Sequence, residues 1–175
     1  MIPIKNDQRI DTGLGIYKDI QVNLSDIIQR GLSDVGEPLF NSLTFKDCNP
    51  SLINIQTTPT IFVWTDGEEI GSDVAGGALG RRQSVHSKYY VTVQLVLCGL
   101  DEESRTDELL MISNETKRII LENLNLNDIA NGGGKIVQVD LRPELLRVNG
   151  RVRSMLGSKI FIEYTQTSQS RMATR

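Results

Sequence analysis

Cysteine, histidine and aromatic residues are all scarce in this chain of 175 residues: Cys48 and Cys98 are the only thiols, His86 is the only imidazole, and aromatics make up 5%. Two cysteines cannot build a disulfide framework. In a chain long enough for its own core they read as reduced thiols, which points to an intracellular compartment. One histidine with two distant cysteines excludes the usual zinc spacings. A catalytic histidine needs a nucleophile and an orienting acid, and the spacing around His86 suggests neither, so it reads as a solvated strand residue. No apolar run approaches the ~20 residues of a spanning helix, and the N-terminal residues hold no stretch apolar enough for a signal peptide. The expectation is a soluble cytoplasmic protein.

A net charge of −3 and a pI near 5.2 exclude a surface devoted as a whole to nucleic acid, while leaving room for a local basic patch. At this length folding buries roughly 70% of the surface of the unfolded chain, enough for one self-sufficient core. With so few aromatics, aliphatic side chains must build it.

What is present is strong patterning. Over residues 84–99, Val85, Tyr89, Val91, Val93, Leu95 and Leu97 fall on one side, and His86, Lys88, Tyr90, Thr92 and Gln94 on the other. That period of two predicts a half-buried strand of about 50 Å, longer than a small core requires, so part of it projects. Residues 60–65 are all β-branched or aromatic and predict an internal strand after Pro59. A short strand is expected at residues 42–45. Between the two main strands, residues 66–83 contain Gly-rich, charged sequence and predict a long hairpin loop; loops of that length are generally functional or disordered.

Two amphipathic helices are predicted. In residues 23–35 the apolar stripe is Leu24, Ile27, Ile28, Leu32 and Val35, with Asn23 or Ser25 as N-cap and Gly36 as terminator. Gly31 inside it costs up to about 1 kcal/mol relative to Ala. In residues 105–124 the stripe is Leu109, Ile112, Thr116, Ile119, Ile120 and Leu124, preceded by acids that suit the helix dipole and capped by Ser104 or Asp101. Alternation at Val137, Val139 and Leu141 up to Pro143, and again at Ile160, Ile162 and Tyr164, predicts two closing strands. Asn149-Gly150 between them is a hairpin turn signal, pairing residues 145–148 with 151–155. The fold class is therefore α+β. A single domain over residues 16–167 holds a mixed, mostly antiparallel sheet of about four to six strands with two main helices packed on it. Residues 1–15 form an extended arm, and the polar residues after 165, the end of the chain from 168 to 175 in particular, form a flexible tail.

No motif carries chemistry. Asn131-Gly132-Gly133-Gly134-Lys135 lacks the Ser or Thr of a phosphate-binding loop and leads from helix into strand, the wrong order. Gly76-Gly77-Ala78-Leu79-Gly80-Arg81 lacks the dinucleotide fingerprint. Asp66, Glu68, Glu69 and Asp73 do not follow a calcium-loop spacing and read as a solvated acidic loop. No cofactor is expected, and the protein is not expected to be an enzyme. The basic residues of note are Arg81, Arg82 and Lys88, then Arg142, Arg147, Arg151 and Arg153, which bracket the Asn149-Gly150 turn as one tip. With the four acids, all except Arg142 are taken as candidate contacts for oligomerisation or for a partner.

The order of elements, with TPTIFVWT, YYVTVQLVLCG, the helix through RIILENL and the closing strand GSKIFIEYTQT, resembles the tail terminator and neck proteins of long-tailed bacteriophages. The resemblance spans roughly residues 20–167 and is architectural. It implies a structural virion protein, assembled in the host cytoplasm, whose hexameric ring caps the tail tube and meets the head-side connector, with a sheath protein as a further partner. DNA would pass through the lumen without sequence-specific binding, past an acidic lining drawn from Asp66, Glu68, Glu69 and Asp73. The alternatives are another neck component, either a head-tail connector or a tail-completion protein. Further alternatives are a nucleic-acid module using Arg147, Arg151 and Arg153, and a small carboxylate- or metal-dependent enzyme at residues 66–73.

Overall fold

The computed structural model describes residues 10–56, 58–77, 80–97 and 102–171. The expectations placed on residues 1–9, on Cys98, on Asp101 as a helix cap and on residues 172–175 lie outside these described residues.

Helix α1 spans Ile16–Val35, starting well before the predicted cap positions. The apolar stripe extends back through Ile20 and Ile16, and burial of that face outweighs the polar signals of Asn23 and Ser25. Asn23, almost wholly buried, instead accepts the Ile10 N–H at 2.9 Å and donates to the Ile10 carbonyl at 2.7 Å. Asp19 accepts from the Thr12 N–H at 2.9 Å and from its hydroxyl at 2.7 Å. The inner end of the expected arm is thus fastened to the chain's own helix. Gly36, at φ +80°, ends α1 as predicted, its N–H donating to the Ser33 carbonyl at 3.1 Å.

After the short α2 at Pro38–Asn41 come strand β1, Thr44–Lys46, and a single 3-10 turn at Pro50–Leu52. Two long strands follow, β2 at Thr60–Gly77 and β3 at Gly80–Leu97. Helix α3 occupies Glu102–Glu122, and β4, Gly134–Val148, and β5, Arg151–Arg171, complete the fold. The five strands form one sheet in the order β1-β2-β3-β5-β4; β1 lies parallel to β2 and all other neighbours are antiparallel. The chain is an α+β protein with two long helices on a mixed, mostly antiparallel sheet, as the patterning predicts.

Both long helices pack on one face of that sheet. Ile20, Leu24, Ile28, Ile112, Ile119 and Ile120 close over Ile61, Val63, Val91, Val93, Ile160 and Ile162, all buried. Full burial of each such side chain contributes roughly 1.5–3 kcal/mol. Gly31 is where the helices meet: a Cβ there would lie 2.7 Å from Ile119 Cδ1, so the absent side chain is the packing contact itself.

A smaller cluster lies on the opposite face, where Phe62, Trp64 and Val96 meet Ile55, Leu146, Val148 and Met155. Ile55 holds the β4 end there, donating to the Arg147 carbonyl at 2.8 Å and accepting from the Asn149 N–H at 2.9 Å. This cover corrects the half-buried reading of β3, because Thr92 and Gln94 on its polar side are as buried as its apolar side.

Three further expectations are corrected. Residues 66–83 are not a loop; except at 78 and 79, outside the described residues, they continue β2 and β3 as paired strands, with Gly77 opposite Gly80. Pro143 does not end β4. It is tolerated because β4 is an edge strand, where one missing ladder donor costs little. Nor do residues 166–171 form a tail, since β5 carries them along β3 to the pair Arg82–Arg171.

Candidate interaction surfaces

The long strands outrun the helical layer. Gly134 of β4 stands opposite Tyr164, itself opposite Tyr89, which faces Glu68. Past that level β2, β3 and β5 continue as a three-stranded ribbon with no β4 beside it, up to Ser72, Val85 and Ser168 and beyond. A bulge between Thr65 and Gly67 marks where the ribbon leaves the core.

Strand alternation sorts the predicted site residues. Glu68 faces the helix side, where its carboxylate accepts from the Tyr17 hydroxyl at 3.0 Å, and the Tyr17 ring meets Tyr89 edge-on at 5.5 Å. Desolvation alone would raise the Glu68 carboxyl, but hydrogen bonds from Ser87, Tyr17 and Tyr89 outweigh it and hold it below its ordinary value. Glu69, the next residue, faces the other side and accepts from the Tyr90 hydroxyl at 2.8 Å; that bond is the main reason the Tyr90 phenol is raised. Lys88 stands opposite Glu69 in register and reaches Glu163 at 3.9 Å, a carboxylate it shares with Lys135 at 3.1 Å. His86, on the same side, contacts the Thr167 hydroxyl at 3.0 Å and the Ser84 hydroxyl at 3.3 Å.

Asp66 is spent inside the molecule. Exposed at the bulge, it accepts the Trp64 indole N–H at 2.5 Å and the Thr92 hydroxyl, which closes the polar side of β3. Below it, Gln94 donates to Glu144 at 2.9 Å and Lys159 pairs with Glu144 at 2.5 Å. Asp73, Arg81 and Arg82 have backbone positions in the ribbon, opposite Ser84, Gly76 and Ala75 respectively; their side chains lie outside the description. The structure therefore does not assemble Asp66, Glu68 and Glu69 into one carboxylate cluster. Among the described residues no group of three or more His, Cys, Asp or Glu is placed to hold a metal ion.

Arg147, Arg151 and Arg153 lie at the opposite pole, exposed on the hairpin formed by β4 and β5 around Asn149-Gly150. None of the three makes an ion pair among the described residues. Arg142, earlier on β4, reaches Asp140 at 3.4 Å. Arg147, Arg151 and Arg153 are thus separated from the acids to the other end of the sheet, while Arg81, Arg82 and Lys88 share the ribbon with the acids.

Sequence reasoning missed the apolar surface between them. Val139, Leu141 and Leu145 of β4 and Val152 of β5 are 37%, 50%, 76% and 66% exposed. Their register partners, Ile160, Ser158, Ser154 and Arg147, place all four on the helix side of the sheet. Helix α3 reaches as far as β5, where Ser113 and Ser158 share a hydrogen bond at 2.7 Å; Ile136 at the start of β4 still packs against the core, and the helix side of β4 beyond it stays uncovered among the described residues. The alternation in residues 137–141 was visible in sequence; which of its faces was left bare depends on where α3 ends.

A groove of about 450 Å³ beside β1, lined by Lys46, Cys48, Ile55 and Phe62 among others, brings together no acid and no histidine. Among the described residues no helix is long and apolar enough to cross a membrane. A scan against family models finds none that matches this chain, and a search of curated proteins finds no match either.

Proposed function

We propose that this protein is a ring-forming structural component of the neck or tail of a long-tailed bacteriophage, with the tail terminator as the specific role. The ring caps the tail tube and meets the head-side connector, and DNA passes through without sequence readout. The observation that carries this reading is the division of the molecule: an α+β core under two helices, from which a polar three-stranded ribbon extends with an open edge. Such a ribbon buries nothing of its own, and its length is accounted for by contacts made with other chains. The distribution of side chains supports the same reading, because the conspicuous charges lie at edges and tips and do not converge on a cavity.

A head-tail connector or a tail-completion subunit shares these features and differs only in its partner. Pull-down of the purified protein against the tube protein and the connector protein separates the roles. Capture of both, with capping that halts tube growth, is expected for the terminator. Capture of the connector alone would move the protein headward, and capture of neither would contradict the reading.

A further inference from the structure

Two strand edges of this sheet are open, and their chemistry is opposite. β2 is paired with β1 only from Thr60 to Phe62, so its outer edge beyond Phe62 has no strand partner among the described residues. Among the described residues β4 is open along its outer edge from Gly134 until the Ile55 bridge at Val148. Long open edges are templates for pairing with another chain, and natural proteins blunt them unless they are used. Here β4 is 15 residues long, interrupted only by Pro143 and by a register shift between Ile136 and Gln138, and bordered by the exposed Val139, Leu141, Leu145 and Val152.

We infer that the β4 edge of one copy receives the ribbon end of β2 from a second copy, so that copies join head to tail through one continuous sheet. This rests on the ring-forming reading and names the two surfaces that would build the ring. Charge supports a second copy as the occupant. β2 carries Asp66, Glu68, Glu69 and Asp73 and no Lys or Arg, whereas residues 142–153 carry four arginines against the single Glu144. Neither Glu68 nor Glu69 is paired with a cation among the described residues, and neither are Arg147, Arg151 and Arg153.

Direction and face also agree. β2 runs antiparallel to β4, so two copies in the same orientation can continue the ladder without inversion. The open part of β2 lies towards the ribbon tip and that of β4 runs to Leu146, next to Arg147, where Ile55 takes the edge, so neighbours meet staggered along the strands. That stagger sets acids beside arginines. By alternation, Glu68 and the 67%-exposed Ile70 share the helix side with Arg147 and the bare β4 side chains, while Glu69 shares the other side with Arg151 and Arg153. A heterologous contact of this kind closes into a ring when its rotation divides the circle.

Charge reversal tests this pairing, with oligomer mass followed by sedimentation velocity and folding checked by circular dichroism. One variant carries Glu68→Lys and Glu69→Lys, the other Arg147→Glu, Arg151→Glu and Arg153→Glu. Each alone is expected to associate at least tenfold more weakly than the unaltered chain. Their equimolar mixture should regain oligomers, because every edge again faces the opposite sign. If both variants assemble like the unaltered chain, the interface lies elsewhere and the ring reading survives. If the unaltered chain is monomeric at every concentration, with and without tube protein, both fail. If the arginine variant assembles normally and instead loses salt-sensitive binding to a DNA duplex, the hairpin belongs to nucleic acid and the pairing is overturned.

Discussion

Gly31 and Tyr164 show how single residues set limits on this fold. Because a Cβ at position 31 would meet Ile119 at 2.7 Å, Gly31→Val should destabilise the protein by about 1–3 kcal/mol through overpacking, measurable by urea denaturation. The ring of Tyr164 is fully buried, and its hydroxyl finds no hydrogen-bond partner among the described residues. Tyr164→Phe should therefore change stability at neutral pH by less than about 1 kcal/mol, or raise it. Burial also pushes the Tyr164 phenol far above its ordinary value of 10.0. A raised value means that its contribution is fully present below pH 10.0 and is lost as pH rises further, by about 1.4 kcal/mol per pH unit. The Phe variant should flatten that alkaline decline in a denaturation series; an unchanged slope would show that Tyr164 is not the group responsible. Gly31 read from sequence as a propensity cost, since helix periodicity says where a glycine sits and nothing about what approaches it. Asn23 misled for a related reason. Its amide suits a cap equally well as it suits the Ile10 backbone, and only the folded position of residues 10–12 decides between them.

At the level of elements, local signals were legible wherever the partner lay close in sequence. The Asn149-Gly150 turn, the Gly36 stop and the α3 stripe from Leu109 to Ile120 stand where the pattern put them, although the helix, Glu102–Glu122, takes in the expected cap Ser104 and stops short of Leu124. The ribbon was not legible, because residues 66–83 hold glycines and charges with no clean alternation, and its third strand, residues 165–171 of β5, pairs with residues 82–88 from 77 to 89 positions away. Those same β5 residues read as a polar tail for the same reason. Strands built this way should differ in stability along their length. In native-state hydrogen exchange, the backbone of residues 67–72 and 84–88 should exchange markedly faster than that of residues 61–65 and 91–96 in the same strands, since only the latter lie under helices. Uniform protection from end to end would mean that something else covers the ribbon, and loss of that protection on dilution would identify the cover as another copy.

On the scale of the whole molecule, acidic edge and basic hairpin occupy opposite poles of one sheet, and the net charge of −3 conceals that separation. Polarity of this kind favours head-to-tail contact over contact between identical patches, because the latter would bring like charges together. The same polarity makes assembly sensitive to salt, most strongly when the charges remain near the surface. The candidate residues could be named from sequence, but not their separation, which follows from the strand order β1-β2-β3-β5-β4. The proposed function requires this chain to form a closed ring. Electron microscopy of the purified protein, alone and mixed with the tail tube protein, with particle mass fixed by light scattering, tests it most directly. Closed annular particles of a single subunit number, seated on tube ends, are expected. Monomers at every concentration, with bare tube ends, would contradict it.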